Sequence, residues 1–221
     1  MNHVIHRVHN KSSTVKFTQV GSNKELVVYG ITDASFKTDE KSIGGVIILL
    51  GNKINNCVNP IFWKSKTIQK VCHSAKAAET RSMIKLLDDS QFFCTQLEQL
   101  LYGDYKKRIP IKLFTDSKPL LESISSTHQV EERLLRNSIT DMKEVLYGGE
   151  IQSYSWLDGE TAMVADAMTK ENKMEEHVTD IVLRNQFKFV LNEDNLVRCV
   201  LGEIKMEKKC NKKEKSDESM D

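Results

Sequence analysis

The stretch IKLFTDSKPLLESI, Ile111 to Ile124, changes character at its middle. Ile111, Leu113 and Phe114 form an apolar, β-prone run. Leu120, Leu121 and Ile124 then recur at helical spacing, with Pro119 where the first turn of a helix accepts it. Asp116 stands at the changeover, between Thr115 and Ser117. An Asp where a buried strand ends is either a cap for the next helix or an acid held ready for chemistry. Alone, the stretch leaves both open, but a strand passing directly into a helix is the repeating piece of an α/β architecture.

Upstream, ELVVYGITDAS (Glu25 to Ser35) is a Val/Ile-rich strand closing on Asp33. IGGVIILLGN (Ile43 to Asn52) and PIFWKSKT (Pro60 to Thr67) follow across short turns, which predicts an antiparallel meander. HSAKAAETRSMIKLLDDSQFFCTQLEQLLYG is helical, with Ser74 as N-cap and Gly103 as stop. Its apolar positions Ala75, Ala78, Met83, Leu86, Leu87, Phe93, Leu97, Leu100 and Leu101 recur every three to four residues. Glu79 falls inside that stripe, one turn after Ala75 and one before Met83. An acid on a buried helix face costs free energy unless it is paired or metal-bound.

Downstream, VEERLLRNSITDMKEVLYGG (Val130 to Gly149) predicts a helix with Leu134, Leu135, Ile139, Met142, Val145 and Leu146 on one side. EIQSYSWLD reads as a strand, and TAMVADAMTKE (Thr161 to Glu171) as a short helix carrying Asp166. HVTDIVLRNQFKFVLNED then reads as a helix plus a strand or loop. The order β-β-β-α-β-α-α-β-α predicts an α/β fold: a mixed five-stranded sheet, three antiparallel strands and then parallel ones, flanked by helices. Residues 1–24 read as a leader or connection remnant, 25–172 as the domain, 173–204 as a helical or extended extension, and 205–221 as a disordered charged tail.

A chain of 221 residues with 39% hydrophobic and 29% charged residues is long enough for one real core and reads as soluble and globular. No apolar run approaches the roughly 20 residues of a membrane span, and MNHVIHRVHNKSS has no secretory apolar core. The five scattered cysteines, without a CxxC pair, argue against a disulfide framework or a structural zinc site. They favour a reducing intracellular compartment, cytoplasm or nucleus. His3, His6 and His9 lack nearby Cys or acids and are not read as a metal site. A formal net charge of +1 excludes a strongly basic nucleic-acid binder. Lysines nevertheless cluster at Lys64, Lys66 and Lys70, and at Lys106 and Lys107 with Arg108.

Four acids punctuate the predicted elements: Asp33, Glu79, Asp116 and Asp166. If the first and fourth strands lie side by side and parallel, Asp33 and Asp116 approach each other where ligand sites of open α/β sheets gather. The long helix then brings Glu79 in from one side. Carboxylates so close repel unless a cation neutralises them, and an all-oxygen set selects Mg²⁺ or Mn²⁺. Two such ions, roughly 3.5–4 Å apart, clamp the attacking water and leaving oxygen of a phosphodiester.

The combination YGITDASF, IFWKSK, HSAKAAE, LFTDSKPLLESI and SWLDGETAMVADAMTK resembles the ribonuclease H domain of copia-type LTR retrotransposon Pol polyproteins, from about Glu25 to Glu171. Members carry an Asp after the first strand, a Ser-rich turn leading to Ala-x-Glu, an Asp followed by a polar residue, and Ala-Asp-x-x-Thr-Lys near the end. Asp33, Glu79, Asp116 and Asp166 match these in order. The chain departs from the pattern at Ser35 and Phe36, and STHQVEERLLRNSITDMKE replaces a His-rich stretch. The resemblance implies a ribonuclease H-like fold and endonucleolytic cleavage of the RNA strand of RNA·DNA hybrids. It also implies two Mg²⁺ ions, replaceable by Mn²⁺, held by those four acids. The implied partners are the hybrid and a reverse transcriptase or the rest of a Pol polyprotein.

Ser35, Lys64, Lys66, Ser74 and Ser117 are candidate nucleic-acid contacts, with WKSK and YKKR as candidate phosphate-binding surfaces. Ser74 and Ser117 read first as caps or turn residues. Trp63 and Trp156 read as core or edge residues, with Trp63 also placed to touch a DNA strand. Two other readings compete. One is a domesticated or decayed module that binds nucleic acid or a polymerase without catalysis. The other is a different nuclease on the same scaffold, either a DEDD exonuclease, which wants an acid where Ser35 stands, or an integrase, which wants a Glu where Asp166 stands.

Overall fold

The computed structural model describes residues 17–36, 41–54, 57–106, 108–128, 130–157, 164–169, 191–200 and 203–206. Outside them lie the leader through residue 16 with its three histidines, residues 158–163, the helix expected after His177, and the tail beyond residue 206.

Among the described residues, seven strands form one sheet: β1 (Leu26–Ser35), β2 (Ile43–Asn52), β3 (Val58–Thr67), β4 (Ile111–Thr115), β5 (Ser153–Leu157), β6 (Leu191–Val200) and β7 (Glu203–Met206). Their spatial order is β3-β2-β1-β4-β5-β6-β7. β1, β2 and β3 are antiparallel, and β4 and β5 lie parallel to β1 and to each other. This five-stranded core is the predicted mixed sheet, and it has the strand order and directions of the ribonuclease H-like fold. The sheet then runs on through β6 and β7, both antiparallel to their neighbours. β7 takes in Lys205 and Met206, from the stretch whose composition reads as tail. Strand pairing can recruit such polar segments because the ladder joins backbone groups.

Among the described residues, four α-helices pack with the sheet: α1 (Ala75–Tyr102), α2 (Lys118–Ser125), α3 (Arg136–Tyr147) and the short α4 (Asp166–Thr169). Met83, Leu86 and Leu87 of α1 join Leu120, Leu121 and Ile124 of α2 and Ile139, Met142 and Leu146 of α3 in one core against the sheet. A second, smaller core on the opposite face holds Tyr29, Ile31, Phe114 and Leu157 with Val164 and Ala165, just before α4. β1 is central and buried on both faces, which is why LVVYGIT reads as a continuous apolar run. A Cβ on Gly30 would lie 2.7 Å from Leu113 and 2.9 Å from Leu86, so β1 approaches α1 and β4 closely only because this residue has no side chain.

Ser74 caps α1, its hydroxyl accepting the Ala77 N–H at 3.1 Å, and Gly103 ends the helix in the left-handed region at φ 75°. Both match the sequence reading. The assigned stripe was too wide at its ends, since Ala75 and Leu100 are exposed. Leu134 is also exposed, because the third helix begins with a 3₁₀ turn (Arg133–Leu135) instead of at Val130. No side chain caps that start, and a 3₁₀ turn is how an uncapped first turn tightens.

Candidate metal centre

The parallel register of β1 and β4 decides which acids meet. Its last pair is Ile31 with Phe114, so Asp33 and Asp116, two residues on, come abreast at the carboxyl ends of adjacent strands. α1 crosses that end of the sheet with its N-terminal turns. The Ala34 N–H donates to Glu79 Oε1 at 3.1 Å. One turn further, the Ser82 hydroxyl donates to the Asp33 carbonyl at 3.2 Å and lies 2.6 Å from the Thr32 hydroxyl. Thr32 donates in turn to the Gly45 carbonyl at 3.0 Å. These bonds fasten α1 to β1 and β2 beside the acids.

Asp33, Glu79 and Asp116 each present a carboxylate oxygen within 4.8 Å of the others'. Asp33 and Glu79 are buried and Asp116 is half-buried. Three carboxylates this close, largely out of water, raise one another's charging cost. A cation relieves that cost, and the chemistry of the donor set fits one kind. Among the described residues the group holds only carboxylate oxygens, with no imidazole or thiolate, which suits Mg²⁺, Mn²⁺ or Ca²⁺ over zinc.

Asp166 stands outside this group, buried at the start of α4. The same helix nevertheless reaches the site: the Thr169 hydroxyl donates to Asp33 Oδ2. Thr169 was not among the sequence-derived site residues. Its signal was its place three residues after Asp166, one helical turn, on the same face.

The expected nucleic-acid contacts divide by position. Asp33 pairs with Gly45 and Gly45 with Ser65, so Lys64 and Lys66 flank the position two strands from Asp33, roughly 10 Å across the sheet. Trp63 is exposed on that edge strand. Ser35 is half-buried at the end of β1. Ser74 donates to Glu132 at 3.3 Å while capping α1. Ser117 holds the N-cap position of α2 but makes no side-chain capping bond, so its assigned capping role is not seen. YKKR lies before β4, at the opposite end of that strand from Asp116. There Lys106 and Arg108 both pair with Asp104, each at 2.8 Å, so the two described cations of that cluster are engaged within their own turn.

No family model matches the chain, and no curated protein does. Solved structures are similar in fold. Ribonuclease H1 from the halophilic archaeon Halobacterium salinarum shares 18% identity over 64% of this chain and 92% of its own, with a TM-score of 0.47. LC11-RNase H1 in complex with an RNA/DNA hybrid shares 13% over 64% and 92%, at 0.46. The N-terminal ribonuclease H domain of a Mycobacterium tuberculosis protein shares 16% over 64% and 91%, at 0.47.

Proposed function

We propose that this chain is a divalent-cation-dependent endonuclease that hydrolyses the RNA strand of RNA·DNA hybrids, of copia-type retrotransposon descent. The observation that carries the reading is the convergence of Asp33, Glu79 and Asp116 at the carboxyl ends of β1 and β4. The motif text around these residues supports the retrotransposon origin. The ribonuclease H-like sheet supports the substrate class, as an expectation from fold.

Asp33, Glu79 and Asp116 would hold the cation, with Asp166 as a fourth acid on the helix whose Thr169 touches Asp33. A Mg²⁺ or Mn²⁺ ion held there would supply Lewis acidity toward a phosphate and its attacking water. The Ala34 N–H holds one oxygen of the Glu79 carboxylate and the Thr169 hydroxyl one oxygen of the Asp33 carboxylate. Lys64 and Lys66 offer charge to a nucleic-acid backbone along the sheet edge, which makes binding weaken with salt. A hybrid would be read by shape and by 2′-hydroxyls of its RNA strand, not by base sequence.

The test is cleavage of an end-labelled hybrid with and without Mg²⁺. Wild type should cut the RNA strand only with the cation, and Asp116→Asn should lose at least about a hundredfold in rate, ~2.7 kcal/mol of barrier. Unchanged cleavage by Asp116→Asn removes the reading. Hybrid binding without turnover in saturating Mn²⁺ replaces it with the non-catalytic module.

A further inference from the structure

The turn that delivers Asp116 is gripped by a side chain from the neighbouring strand. Trp156 of β5 pairs with Thr115 of β4, and its indole N–H donates to the Asp116 carbonyl at 3.1 Å. That carbonyl also accepts the Lys118 N–H at 3.1 Å, and the Thr115 hydroxyl accepts the Ser117 N–H at 3.1 Å. Lys118, the first residue of α2, then folds back so that its ammonium lies 4.6 Å from the centre of the Trp156 ring. One indole therefore meets the turn twice, through its N–H at residue 116 and through its π face at residue 118. The side chain at the N-cap of α2 does not fix the helix start, so this grip supplies a constraint that capping leaves open.

We propose that Trp156 is a positioning residue for Asp116. It sets the backbone of residue 116 so that the carboxylate is presented to Asp33 and Glu79 in advance of the cation, with Lys118 holding the ring in its orientation. The inference rests on the metal-centre reading and adds a residue that acts through Asp116 without being a ligand. Partners of this kind govern metal affinity because they hold a ligand in its bound geometry before binding.

The experiment is a Mn²⁺ titration of the purified full chain, followed by the electron paramagnetic resonance signal of free Mn²⁺, with Asp116→Asn as the site-loss reference. Trp156→Phe keeps an aromatic face for Lys118 but lacks the N–H. It should weaken the Asp116-dependent Mn²⁺ site about tenfold. Cleavage should then need correspondingly more metal, with kcat restored at saturating metal and hybrid affinity in EDTA unchanged. A general packing defect would not give that split. Lys118→Met leaves the N–H in place on an exposed residue and should weaken the site about threefold. It decides the question if Trp156→Phe does not fold. Wild-type Mn²⁺ affinity in Trp156→Phe overturns the inference and leaves the metal centre standing. The same affinity in wild type and Asp116→Asn removes both.

Discussion

The two ends of α1 each bury a glutamate, and the two are used in opposite ways. At the far end, Glu98 is 0% exposed, and its oxygens accept the Lys106 N–H at 2.8 Å and the Ile109 N–H at 2.7 Å. Those bonds clasp the loop that leads from α1 into β4. The carboxylate is answered by backbone donors, so it does structural work. Its field is felt nearby: burial first, and the Glu98 charge second, push the Cys94 thiol up to about 12. At the near end, Glu79 accepts the Ala34 N–H and presents an oxygen within 4.8 Å of oxygens of Asp33 and Asp116. There two of the described neighbours are further acids. A buried carboxylate surrounded by donors is satisfied by the fold, whereas one among carboxylates calls for a cation from outside.

Exchanging the two residues' properties tests this contrast most directly. Glu79→Gln should reduce hybrid cleavage by about a thousandfold, ~4 kcal/mol of barrier, yet leave the metal-free protein at least as stable as wild type, because one charge leaves a repelling cluster. A large drop in the metal-free melting temperature would mean that Glu79 is a structural acid like Glu98. Glu98→Ala should do the reverse. A buried and a partly buried N–H lose their acceptor, at about 2 kcal/mol read by urea unfolding, while the cleavage rate per folded molecule stays near wild type. Cleavage lost in proportion to Glu79→Gln would erase the distinction between the two ends. The smallest effect concerns the cation itself. At ten times its dissociation constant, Mg²⁺ should stabilise wild type and Glu98→Ala alike by about 1.4 kcal/mol in thermal unfolding, and Glu79→Gln hardly at all. Equal stabilisation of all three would place the cation elsewhere.

The contrast also measures what pattern reading reaches. Glu79 stood out because it interrupts an apolar stripe, yet Glu98 lies on the same buried side, four residues after Cys94, and drew no attention among Leu97, Leu100 and Leu101. Periodicity reports which face of a helix is buried, not what waits on the other side of it. Thr169 and Trp156 show the same gap. Thr169 meets Asp33 across 136 positions of chain, and Trp156 meets the Asp116 carbonyl across 40. The ends of elements were legible where a local device sets them, as with Ser74 and Gly103 on α1. Where none does, as at the start of α3, the expected boundary was misplaced.

The amino-acid sequence by itself determined the kinds and order of the core elements and the placement of Asp33 and Asp116 at strand ends. All of these follow from steric preference and burial period, which act over a few residues. The tertiary structure alone decided the pairing of β1 with β4, which carries two of the acids to one point and leaves Asp166 beside it. It alone also separated Glu79 from Glu98, and it ran the sheet on into β6 and β7. The physical reason is that the environment of a charge or of a strand edge is set by whatever packs against it, and here those partners lie tens of residues away.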